Sequence, residues 1–125
     1  MADDRPRSPE DEPEDKVAFT LQLGGAKDRL LWVLEKLELA VAALTKDAPI
    51  KTRLYEAMIE LVEVQPGEFP VNLQARYQAI LDAVRQMEGP HGTLVASLEQ
   101  MSEARAEEIA QAIIALRDEV QSRIS

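Results

Sequence analysis

The sequence contains no cysteine among its 125 residues and one histidine, His91. The first absence excludes disulfides, thiol nucleophiles and thiolate metal sites, and a secreted disulfide scaffold with them. The second leaves no H-E-x-x-H motif, and because the one histidine lies in a turn, a diiron-type carboxylate site between helices, which usually brings histidines at helical spacing, is set aside. Neither a glycine-rich phosphate loop nor a G-x-S-x-G elbow is present. No apolar run approaches the length of a bilayer crossing. The first residues are charged and proline-rich where a signal peptide carries an apolar centre, so a cytoplasmic chain is expected. Basic residues are also scarce: 23 acids stand against 14 bases, for a formal charge of −9. Phosphate backbones and anionic membrane surfaces attract Lys and Arg stripes, so neither nucleic acid nor membrane is an expected partner. The chemistry-bearing residues thus point to no catalytic, cofactor-binding or metal-ligating site.

What remains is a helix-forming sequence. Leu, Ile, Val and Phe account for 33 of the 125 residues, enough for one domain with a single core. Residues 1–16, MADDRPRSPEDEPEDK, carry seven acids, three bases and three prolines. That is a charge of −4, leaving −5 for the rest, and the segment has nothing to bury. It reads as a disordered acidic tail before a helical domain at 17–125.

Residues 17–23, VAFTLQL, place Val17, Phe19, Leu21 and Leu23 at alternate positions, and Gly24-Gly25 follows as a break. No other segment alternates this way, and a lone strand cannot satisfy its own backbone. Three arrangements stay open: a short helix ended by the glycines, an extended arm packed on the bundle, or a strand paired with another molecule.

Five helical segments follow the helical period. The first runs from about Ala26 to Thr45, with Leu30, Leu34, Leu37, Val41 and Leu44 within about 40° of one line. Asp47, as a cap, and Pro49, in the first turn, start a second helix with Ile50, Leu54, Ala57, Met58, Leu61 and Val62 inside. QPGEFP stops it, and Pro70 opens a third with the stripe Leu73, Tyr77, Ile80, Leu81, Val84 and Met87. GPHG separates this from a short fourth helix near 93–100 carrying Leu94, Val95 and Leu98. Ser102 caps a fifth, from about 103 to 123, with Ile109, Ile113, Leu116 and Val120 in register. Tyr55 and Tyr77 flank inner stripes and are expected to bury their rings with the hydroxyls near water. The fold class expected is all-α, a bundle of four to five mostly antiparallel helices.

Trp32 is the residue this pattern does not absorb. It falls opposite the apolar stripe of the first helix and, with Leu39 and the small Ala43, makes a second, shorter strip. The economical reading folds VAFTLQL back over that strip across the glycine hinge. The same complementarity satisfied by a second copy gives a homodimer. With neither, the Trp-Leu strip is an anchor for another protein, because Trp is enriched at interface hot spots. Glu56, Glu60 and Glu63 share one face of the second helix and form a weaker, acidic candidate. His91, in a turn without a second ligand, reads as a loop residue.

The order IKTRLYEAM (50–58), FPVNLQARYQAI (69–80) and GTLVASLEQMSEARAEEIAQAIIAL (92–116) resembles small uncharacterised helical bacterial proteins. The resemblance covers about two-thirds of the chain and implies the fold without an activity. The function expected is a non-enzymatic protein-protein interaction module, binding itself or another protein through an apolar surface on the first helix. One alternative is an acidic inhibitor or antitoxin-like protein that covers a basic active site or nucleic-acid groove. Another is a small-ligand-binding or enzymatic bundle, which requires a concave pocket with convergent polar groups.

Overall fold

The computed structural model describes the backbone of residues 12–124 and the side chains from Asp28 to Ile124. It is all-α: α1 (Glu12–Leu44), α2 (Ile50–Glu60), α3 (Val71–Ala83), α4 (Thr93–Gln100) and α5 (Glu103–Ile124), with one 3₁₀ turn at Pro66–Glu68 and no strand among the described residues. Helices α1, α2 and α5 pack on one another, α3 lies on α5 and the 3₁₀ turn, and α4 lies on α2.

The inner face of α1 is built by Val33, Leu37, Ala40 and Leu44, all buried. Its centre is turned by about 50° from the line through Leu30, Leu34, Leu37, Val41 and Leu44 that the largest residues suggest. Leu34 and Val41 are half-buried at its edge, and Ala40 and Ala43 take the inner places. The reason is the pair of neighbours: α1 meets both α2 and α5, and alanines let helix axes approach closely. Ala57 on α2 and Ala106 and Ala110 on α5 are buried in the same cluster.

α1 and α5 are antiparallel. Glu107 on α5 approaches Arg53 (3.9 Å), near the end of α1, whereas Arg117, further along α5, meets Glu38, further back on α1 (2.9 Å). Arg53 also closes the end of α1. Its Nη1 donates to the Leu44 carbonyl (2.9 Å) and its Nε to that of Ala48 (2.7 Å), so a cation satisfies carbonyls at the negative end of the helix.

Several expectations are corrected. The alternation over 17–23 does not produce a strand, and Gly24-Gly25 does not break the chain: the backbone is helical through both. Residues 17–23 therefore stand on the same rod as Trp32, at least nine residues or about 14 Å away, and cannot fold back on it. That removes the extended arm and the exchanged strand as arrangements. The side chains of Val17, Phe19, Leu21 and Leu23 lie outside the described residues, as does the acidic tail before Glu12, whose last residues, 12–16, open α1.

Asp47 does not cap α2. Pro49 occupies the cap position without a side-chain bond, because its extended backbone (ψ 149°) turns the chain only after Asp47 has passed. Val62 (67 % exposed) and Met87 (43 % exposed) leave the inner stripes, since α2 and α3 end before reaching them. Tyr77 is fully buried: its O–H is shared between the carbonyls of Val64 (2.8 Å) and Leu61 (3.1 Å) in the turn after α2, where the Leu61 carbonyl also accepts the Val64 N–H (3.0 Å). Its ring stacks on Phe69, with centroids 4.5 Å apart. Tyr55, by contrast, is exposed.

The second half of the chain follows its sequence closely. α4 spans Thr93–Gln100, and α5 begins where Ser102 Oγ accepts the Arg105 N–H (3.0 Å). Ile109, Ile113, Leu116 and Val120 are buried. Gly92 opens α4 at φ 100°, a backbone conformation that glycine alone adopts without strain.

Candidate functional site

The Trp32 strip does not survive as a unit. Trp32 is half-buried, packs against the core and carries the Lys36 ammonium 5.9 Å from its ring centroid. That cation–π contact, one turn along the same helix, covers part of the ring from within the chain. Ala43 is buried and Leu39 exposed.

The structure instead joins Leu39 and Ala43 to α2. A groove of about 530 Å³ runs between the outer sides of α1 and α2, lined by Leu39, Ala42, Ala43 and Lys46 from one helix and Tyr55, Glu56, Ile59 and Glu60 from the other. Leu39 (44 % exposed), Tyr55 (39 %) and Ile59 (46 %) are three of the large apolar side chains left open to solvent. Ala42 and Ala43 are too small to fill the space between the helices, which gives the groove its depth.

Two of the three acidic-face candidates, Glu56 and Glu60, border this groove; Glu63 is exposed in the turn after α2, which ends at Glu60. Lys46 Nζ meets Glu56 Oε1 at 2.8 Å. That hydrogen bond and the Glu56 charge, with a smaller share from Glu60, raise the Lys46 pKa above its ordinary value. Among the described residues neither Glu60 nor Glu63 has an ion-pair partner. The groove thus has an apolar floor and an α2 edge with uncompensated negative charge.

Sequence reasoning missed Tyr55, Ile59, Ala42 and Lys46. One signal was available: Tyr55 and Ile59 stand at i, i+4 on α2, outside the inner stripe, just as Leu39 and Ala43 do on α1. Two apolar pairs on adjacent helices, each on the flank, mark a seam.

On the other side of Tyr55, a shallower apolar recess of about 310 Å³ lies between α2 and α4, lined by Lys51, Thr52, Val95, Leu98 and Glu99. A third recess, about 560 Å³, lies where α3, α4 and α5 converge, with Asp82, Gln86, Ser97, Gln100 and Arg105 around Ala79, Ala83, Met87 and Met101. It is concave and partly polar, as a ligand site requires. Several of its polar groups already bond within the chain. Ser97 Oγ accepts the Met87 N–H (2.9 Å), Gln86 donates to the Asp82 carbonyl (2.8 Å), and Arg105 pairs with Glu108 (3.1 Å). His91 is exposed in its turn. Among the described residues, no group of three or more His, Asp or Glu side chains is placed to hold a metal ion, and no helix is long and apolar enough to cross a membrane.

Compared with known protein families, curated proteins and solved structures, the chain matches none of them.

Proposed function

We propose that this chain is a non-enzymatic protein-interaction module whose docking surface is the α1/α2 groove. One observation carries the reading: Leu39, Tyr55 and Ile59 are each exposed by more than a third and converge on one alanine-floored groove. Apolar side chains scattered singly over a surface need no explanation, but ones gathered in a concave, charge-rimmed patch are the usual mark of a protein contact. The surface expected on the first helix is thereby moved from Trp32 to Leu39 and shared with α2.

Glu56 and Glu60 on the rim favour a second reading, an acidic inhibitor or antitoxin-like protein whose carboxylates cover a basic site. Salt separates the two. An apolar contact holds its affinity as ionic strength rises, and a complex made by charge alone loses it steeply.

The test is site-specific photo-crosslinking in the cells that make the protein. A photoreactive phenylalanine analogue replaces Ile59 in one variant and Val71, which is exposed on α3, in another. Discrete protein adducts from position 59 that are absent from position 71 are expected. The same adducts from both positions, or none from 59, overturn the proposal.

A further inference from the structure

The α1/α2 groove lies between two helices, and its two edges differ in charge. The α1 edge holds Lys46, already neutralised by Glu56. The α2 edge holds Glu60, and Glu63 follows in the turn just past the end of α2; both are unpaired among the described residues. From this asymmetry we infer that the groove receives a basic amphipathic helix of a different protein, its apolar face between Leu39 and Ile59 and its lysines or arginines over Glu60 and Glu63. The inference rests on the proposed docking role and adds the chemistry of the occupant.

Three considerations select that occupant. A helix added beside two others packs by ridges into the groove they leave, as a third member of the bundle. An extended peptide pairs with a free sheet edge, and the described residues contain no strand to offer one. A second copy of this chain is the wrong partner on charge. A two-fold contact sets the same patch against itself, so two rims of net negative charge meet, with Lys46 on each side already engaged by Glu56. Like-charge juxtaposition at an interface suppresses pairing, whereas a cationic flank is drawn in. The apolar half of the recognition is supplied by Leu39 and Ile59, and the orientation by the two glutamates.

The experiment titrates three synthetic helical peptides into the full-length chain and follows backbone amide shifts by NMR. The first carries leucine at i, i+4, i+7 and i+11 with lysines along one flank. The second replaces those lysines by glutamate, and the third keeps the lysines but replaces the leucines by serine. The first peptide is expected to shift Leu39, Ala42, Ile59 and Glu60, and to bind about tenfold or more tightly than either other. Glu60→Gln with Glu63→Gln reduces its affinity about tenfold without moving the melting temperature, and Ile59→Asp or, independently, Leu39→Glu abolishes the groove shifts. Equal binding of the lysine and glutamate peptides in the groove overturns the charge assignment and leaves the docking role standing. Equal binding of the leucine and serine peptides overturns the apolar seat and with it this inference. If no peptide shifts the groove residues, both this inference and the docking role fail. Concentration-dependent shifts of those residues without any peptide assign the groove to a second copy and overturn the choice of partner.

Discussion

The two tyrosines mark two regions that use similar residues to opposite ends. Around Tyr77 the molecule is closed: the ring is stacked on Phe69, the hydroxyl is spent on the Leu61 and Val64 carbonyls, and nothing is open to solvent. Around Tyr55 it is open. The ring stands between two recesses, beside an exposed Leu39 and Ile59, the Lys46–Glu56 pair and Glu60. Each tyrosine lies beside an apolar stripe in sequence, and what separates them is the end of α2. The turn that follows it presents the Leu61 and Val64 carbonyls to Tyr77, whereas α2 presents only side chains around Tyr55. A polar group sinks into a core where a backbone group needs it.

The largest effect that sharpens this comparison is truncation of each ring. Tyr77→Ala removes a fully buried aromatic and is expected to cost about 3–5 kcal/mol in urea unfolding. Tyr55→Ala should stay within about 1 kcal/mol, because its ring is partly in water already. Comparable losses would show that the open region is part of the core and break the distinction.

Removing only the hydroxyl isolates the polar half of the contrast. Tyr77→Phe removes the O–H from the Val64 carbonyl and leaves that of Leu61 with the Val64 N–H, and is expected to cost about 1–3 kcal/mol, while Tyr55→Phe costs almost nothing. Alkaline titration reports on the same bond. Burial, with a smaller contribution from Glu68 and against one from Arg85, pushes the Tyr77 phenol above its ordinary range. The unfolded chain therefore releases this proton first, near pH 10. Stability tied to the neutral phenol is fully present below that pH. It falls as pH rises further, by up to about 1.4 kcal/mol per pH unit. In the Tyr77→Phe variant the slope should shrink to what Lys46, whose pKa Glu56 also raises, contributes, and an unchanged slope would place its origin outside Tyr77.

How far this division was legible in the sequence depends on the range of the signal. The α4/α5 break, the Ser102 cap and the buried stripe of α5 rest on neighbours within a turn or two, and all appear where the pattern puts them. Gly24-Gly25 carried a local breaking signal that a longer register overrides. Read with a helical period, Phe19, Leu23, Ala26 and Leu30 stand at 4-3-4 spacing and run on in step with Val33, Leu37, Ala40 and Leu44. Two glycines cost a helix only about 1 kcal/mol each, which a register continuous with the buried Val33, Leu37, Ala40 and Leu44 can outweigh. Ala40 was overlooked because a stripe drawn through the largest residues misses the place where helices come closest. The α1/α2 groove was half legible. Leu39, Ala43, Glu56 and Glu60 were singled out on separate helices, and only the packing of α1 against α2 puts them on one surface with Tyr55 and Ile59.

The smallest expected effect is the most discriminating. Ile59 stands three residues after Glu56 on α2, so Ile59→Lys places a cation within helical reach of that carboxylate. In a core position this substitution would bury an unpaired charge and cost several kcal/mol. In an open groove it should leave stability within about 0.5 kcal/mol of the parent, with the new pair adding a few tenths. The same lysine puts a charge into the apolar floor that the partner must cover. An unchanged urea midpoint together with lost peptide binding would assign Ile59 to recognition and Tyr77 to the fold. A loss of stability above about 1 kcal/mol would instead make Ile59 a structural residue, and the openness of the Tyr55 region would then be a packing defect with no claim to be a surface kept for another protein.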